Sequence, residues 1–152
     1  MTAPVTGGIV NGGFEAGTLS GWTTSGPATS VISTGCRTGT YCAQAGSNVP
    51  TNGDSNIVQT FTVPTGKSSL SLWYKSTCPD TVQYDWVTVT LTNSTTAVTT
   101  TVVAKQCVNN AAFVNATAPV TAGTSYTLTM TNRDDNYTGD PTFTLFDDVT
   151  LN

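Results

Sequence analysis

Apolar and polar residues alternate with a period of two along most of this chain, and no window carries a sustained 3.6-residue repeat. In residues 125–132, SYTLTMTN, Tyr126, Leu128 and Met130 alternate with threonines. In residues 85–93, DWVTVTLTN, Val87, Val89 and Leu91 point one way while Trp86, Thr88 and Thr90 point the other. Runs of this kind, rich in β-branched and aromatic residues, recur about every ten residues between clusters of Gly, Pro, Asn and Asp. They predict strands near 7–11, 29–34, 40–46, 56–63, 68–76, 85–93, 98–105, 112–119, 124–132 and 142–151. That pattern predicts an all-β fold, a two-sheet antiparallel β-sandwich or jelly roll. The 152 residues suffice for one domain spanning 1–152, with no internal repeat or linker.

The final run, FTLFDDVTLN, raises a question. Phe143, Leu145, Val149 and Leu151 share one parity, and Asp147 shares it with them. A carboxylate on an apolar strand face is costly unless something compensates it. Asp147 therefore predicts a cation, capped turn amides, or a basic partner such as Arg37 or Lys105.

Composition narrows the function. Only 9% of residues are charged, against about a quarter in ordinary globular chains. Thr, Ser, Asn and Gly replace them, as in secreted and cell-surface β-domains. The net charge of −4 and the scattered positions of Arg37, Lys67, Lys75, Lys105 and Arg133 leave no basic patch for nucleic acid. No apolar run approaches the ~20 residues that span a bilayer, so no membrane role is expected. The opening MTAPVTGG lacks a signal segment and reads as the start of a mature or excised domain. Histidine is absent, which removes the commonest general base and every Ser-His or Cys-His nucleophile pair. The chain is not expected to be an enzyme.

Cys36, Cys42, Cys78 and Cys107 form no CxxC motif and allow three disulfide connectivities. The favoured one joins Cys36 to Cys42, stapling CRTGTYC, and Cys78 to Cys107, tying two neighbouring strand units. Disulfides would place the protein outside the cytoplasm, secreted.

Three groups of residues carry candidate chemistry. Trp73 and Trp86 have opposite parity from the apolar residues of their strands. If strands 68–76 and 85–93 are sheet neighbours, both rings share an outward face and, with Tyr84, form a platform on which sugar rings stack. The plainer alternative is core packing, because tryptophan is mostly buried in small domains. NRDDNYTGDPT brings Arg133, Asp134, Asp135, Tyr137 and Asp140 into one loop, and CPDTVQYDW adds Asp80 and Asp85. Such acidic loops suit a second calcium site or the polar rim of a sugar site, although Asp and Asn are also ordinary turn residues. Asp85 has core-facing parity, which favours a metal or buried hydrogen-bond role. Paired carboxylates raise the glycosidase question, but no other feature supports that reading.

The two ends supply the third group. NGGFEAGTLSGW begins at Asn11 and FDDVTL at Phe146, framing about 130 residues, with SLSLWYK between them. In these stretches the chain resembles carbohydrate-binding modules of the family 4/9/22 type, galactose-binding-domain-like jelly rolls. The resemblance implies a structural calcium where the first and last strands meet. Glu15 and Asp147 would supply carboxylates, and Gly13, Asn11 and the loop at Thr38 would supply carbonyls. Calcium accepts such a mixture of hard oxygens.

The resemblance also implies a non-catalytic module of a secreted bacterial protein. It would be a monomer within a larger parent, tethering an attached enzyme to polysaccharide or oligosaccharide. Trp86, Tyr84, Trp73, Arg133, Asp135 and Tyr137 would contact the sugar. The alternative is an accessory or adhesion domain of a secreted peptidase or surface protein, with a protein ligand or no specific ligand. An aromatic patch on an open sheet face favours the first reading and a flat Thr/Ser face the second.

Overall fold

The ladder of alternating residues closes into two stacked antiparallel sheets. The structure is a computed structural model, and it describes residues 7–152. Ten strands run in chain order: β1 Thr23–Ser25, β2 Thr29–Ile32, β3 Cys42–Gly46, β4 Asn52–Thr62, β5 Ser69–Thr77, β6 Trp86–Asn93, β7 Thr99–Gln106, β8 Val114–Pro119, β9 Ser125–Asp135 and β10 Phe143–Leu151. One sheet has the order β1-β4-β9-β6-β7 and the other β2-β3-β10-β5-β8. No helix occurs among the described residues.

Period-two alternation decides which side chains fill the space between the sheets. Ile57 and Phe61 from β4, Val87, Val89 and Leu91 from β6, and Leu128 and Met130 from β9 come from the first sheet. Leu70, Leu72 and Tyr74 of β5 and Phe146 of β10 meet them from the second. Burying one such aliphatic or aromatic side chain contributes about 1.5–3 kcal/mol. Cys36 is bonded to Cys42 and Cys78 to Cys107, the pairing favoured from sequence.

Nine of the ten expected strands are present, and residues 7–11 are the exception. That segment forms no ladder with a strand. The Gln59 amide serves it instead, donating to the Val10 carbonyl at 2.9 Å and accepting the Val10 N–H at 2.8 Å. The strand that does flank β4 is β1, whose three exposed polar residues carry no apolar alternation to announce it.

Two inferences from parity need correction. β5 and β6 belong to different sheets, so Trp73 and Trp86 lie on opposite outer faces of the sandwich and share no platform. β10 does not keep one parity throughout. Phe146 faces the core, and the register then shifts between Asp147 and Thr150, with Asp148 at φ 49°. The bulge brings Val149 back to the core. Asp147 therefore lies on the outer side with Leu145, opposite Trp73, and is buried there.

Candidate functional site

The Gly12 turn meets β10 at a corner, where the Val149 N–H donates to the Gly12 carbonyl at 3.0 Å. Here the disulfide-closed loop 36–42 folds over Asp147. Its Oδ2 accepts the N–H groups of Arg37 at 3.0 Å and Thr38 at 3.2 Å, and its Oδ1 accepts that of Asp148 at 2.8 Å. Glu15 Oε1 accepts from Thr40 and Tyr41, both at 3.1 Å, and Oε2 from Thr40 at 3.1 Å. Gly39, at φ 64°, makes room for that carboxylate, because a Cβ there would overlap Glu15. The Asn11 carbonyl accepts from Phe14 N–H and Trp22 Nε1. Gly13 sits near Glu15 and Asp148. Thr38 Oγ1 lies 2.7 Å from Asp148 Oδ1, and the Arg37 guanidinium pairs with Asp148 at 2.8 Å.

These contacts test the implied calcium. Every carboxylate oxygen of Glu15 and Asp147 accepts at least one backbone N–H, so as arranged the corner carboxylates serve as amide caps.

A second acidic group is built from four aspartates. β6 pairs with β9, setting Trp86 opposite Arg133, and β5 pairs with β10, setting Thr77 opposite Phe143. The β5–β6 and β9–β10 loops consequently emerge at the same end of the sandwich. One carries Asp80 and Asp85 and the other Asp140, while Asp135 ends β9. These four aspartates offer oxygens that all lie within 4.8 Å of one another and could hold a metal ion. Calcium ligands at about 2.3–2.6 Å from a common centre span that width.

Three of the four are held by local donors. Asp85 is 0% exposed and accepts from Asp135 N–H at 2.8 Å and Thr142 Oγ1 at 2.6 Å. Asp135 Oδ1 accepts from Tyr137 N–H and Asp80 Oδ1 from Thr81 N–H. Asp140 Oδ1 is buried without any hydrogen-bond partner. Burial pushes the Asp85 carboxyl above the usual carboxylate range, against the Thr142 and Asp135 hydrogen bonds. Desolvation, with Asp80, Asp135 and Asp134 nearby, pushes Asp140 up as well. The ion pairs among the described residues, Arg37–Asp148 and Arg133–Asp54, leave these four acids unneutralised.

A cavity of about 330 Å³ opens here, lined by Asp80, Tyr84, Asp135, Tyr137 and Asp140. Tyr84 is 49% and Tyr137 66% exposed. Of the expected sugar contacts, Tyr84, Trp86, Arg133, Asp135 and Tyr137 thus gather around one end of the first sheet, and Trp73 does not. Both tryptophans carry a cation: Lys105 Nζ lies 3.8 Å from the Trp86 ring centroid, with the Arg133 guanidinium at 5.2 Å, and the Arg37 guanidinium lies 3.6 Å from that of Trp73. Lys105, a candidate partner of Asp147 from sequence, lies instead over Trp86, to which nothing local in the sequence ties it. Much of the rest of the outer face of the first sheet is threonine, with hydroxyl pairs Thr60–Thr127 at 2.8 Å and Thr92–Thr99 at 2.9 Å.

No protein-family model matches the sequence, and no curated protein does. Solved structures match the fold. TmCBM61, in complex with beta-1,4-galactotriose, superposes with a TM-score of 0.70 at 15% identity, over 95% of this chain and 97% of that one. The Clostridium thermocellum xylanase 10B CBM22-1-GH10 modules, complexed with xylohexaose, give 0.59 at 16%, over 96% of this chain and 28% of that one. The K1 cleaved adhesin domain of Lys-gingipain from Porphyromonas gingivalis W83 gives 0.59 at 14%, over 92% and 95%. The two five-stranded sheets of this chain have the β-sandwich fold of carbohydrate-binding modules, a likeness of architecture.

Proposed function

We propose that this chain is a non-catalytic carbohydrate-binding module of a secreted bacterial protein, acting as one unit that tethers an attached enzyme to polysaccharide. The observation that carries the reading is the gathering of Tyr84, Trp86, Arg133, Asp135 and Tyr137 at the open end of one sheet. Aromatic faces stack on sugar C–H groups, and carboxylates and the guanidinium take hydroxyls. Tethering works by effective concentration and requires no catalytic group. The two disulfides support a secreted location. We assign a calcium to the four-aspartate group, because none of its carboxylates has a basic partner among the described residues and one buried oxygen lacks any donor.

A second reading is favoured by the threonine face. Flat, self-paired hydroxyls suit an adhesion or accessory domain with a protein ligand. A pull-down on insoluble galactan, xylan and cellulose separates the two. The module reading expects retention on at least one polysaccharide, reduced at least tenfold in Trp86→Ala or Tyr137→Ala and kept in Lys105→Ala. Retention on none of them sinks it in favour of the adhesion domain.

A further inference from the structure

Calcium at this end of the sandwich would not be enclosed. Six to eight oxygens complete its shell, and four aspartates supply one each by the geometry described. Asp85 is fully buried, whereas Asp80, Asp135 and Asp140 line the cavity of about 330 Å³. The remaining coordination positions would therefore face the cavity mouth, between the exposed rings of Tyr84 and Tyr137. That volume lies at the small end of ligand pockets, about 300–1,000 Å³.

We infer that this cavity is a calcium-dependent sugar subsite, in which a vicinal pair of hydroxyls from a neutral glycan completes the shell of the ion while Tyr84 and Tyr137 flank the ring. The inference rests on the module reading above and adds the direct role of the ion. Two independent observations point to it. The buried Asp140 Oδ1 has no hydrogen-bond partner, and such an orphan is rare unless an ion or water serves it. Two tyrosines stand largely exposed at the rim of an otherwise acidic hole. The charge of the nest sets the ligand class. Four carboxylates around one dication leave net negative charge, which repels uronate or sulfated sugars and admits neutral ones.

Calcium binding is measured first, by calorimetry with calcium chloride alone, on the wild type, Asp140→Asn, Asp80→Asn and Tyr137→Ala. Near-ultraviolet circular dichroism identifies variants that remain folded. Retention on galactan and xylan is then compared in calcium and in EGTA. The expected result is one calcium site, weakened at least tenfold in the Asp80 and Asp140 variants and unchanged in Tyr137→Ala. Polysaccharide retention should require calcium and fall in all three variants. Absence of calcium uptake overturns the inference. So does retention that is equal in EGTA, an outcome that leaves the sugar-binding module standing. Retention on neither polysaccharide in calcium overturns the inference, and retention on no polysaccharide at all removes the module reading with it.

Discussion

Asp147 stands directly opposite Trp73 across the β10–β5 pair, on the outer face of the sheet, and is nevertheless fully buried. The 36–42 loop buries it, donating the N–H groups of Arg37 and Thr38 to one carboxylate oxygen while Arg37 reaches over the Trp73 ring. The carboxylate is thus an acceptor for a loop that would otherwise carry unpaired donors. Removing it as Asp147→Ala strips partners from the amides of Arg37, Thr38 and Asp148. The expected loss is about 2–3 kcal/mol, since an unsatisfied buried donor costs about 1–3 kcal/mol and solvent reaches part of this loop. Urea unfolding measures it. A loss under 0.5 kcal/mol would show that water replaces the carboxylate.

The same burial predicts an unusual response to acid. Desolvation pushes the Asp147 carboxyl above the ordinary range, more than the N–H groups of Thr38, Asp148 and Arg37 hold it down. Asp85 and Asp140 are displaced in the same direction. A carboxyl whose pKa is raised in the folded state binds its proton more tightly there than in the unfolded chain. Its contribution to stability is full below the unfolded value of about 4 and is lost as pH rises through the folded pKa. In EGTA, the melting temperature should therefore rise as pH falls from 7 toward about 5. In saturating calcium the trend should reverse, because protons compete with the ion for Asp85 and Asp140. Scanning calorimetry across that range in both media checks the crossing. Parallel curves would remove the metal from these acids.

The strands were legible because alternation is local. Val87, Val89 and Leu91 needed no knowledge of their neighbours to be read as one buried face. Alternation does not carry whatever depends on the partner strand. The bulge at Asp148 reverses parity midway through β10, and no residue of FDDVTL announces it. Parity turns Trp73 and Trp86 outward, as they lie, but does not say which sheet a strand joins. The acidic nest joins residues about 50 apart in sequence. Composition groups the Asp80/Asp85 loop with the 133–140 loop as acidic loops, but only the pairing of β6 with β9 and β5 with β10 brings Asp80, Asp85, Asp135 and Asp140 together.

Each disulfide is placed at one of the two acidic groups, and this predicts how their removal should differ. Cys36–Cys42 closes the loop whose amides hold Asp147 and Glu15. Cys78–Cys107 anchors the end of β5, where Cys78 begins the loop carrying Asp80 and Asp85. The chain-entropy model gives about 2–2.5 kcal/mol for the short link and about 3–4 kcal/mol for the long one. Coupling is the sharper test, because groups sharing one network are not additive. Without Cys36–Cys42 the loop amides are already loosened, so Asp147→Ala should cost at least 1 kcal/mol less in that background. Without Cys78–Cys107 the cost of Asp147→Ala should be unchanged, while calcium affinity should fall. A double-mutant cycle by urea unfolding, with calcium titration of the same proteins, reads both. Equal coupling of Asp147 to the two disulfides would mean that the loop amides are set by the sandwich as a whole rather than by their own cross-link.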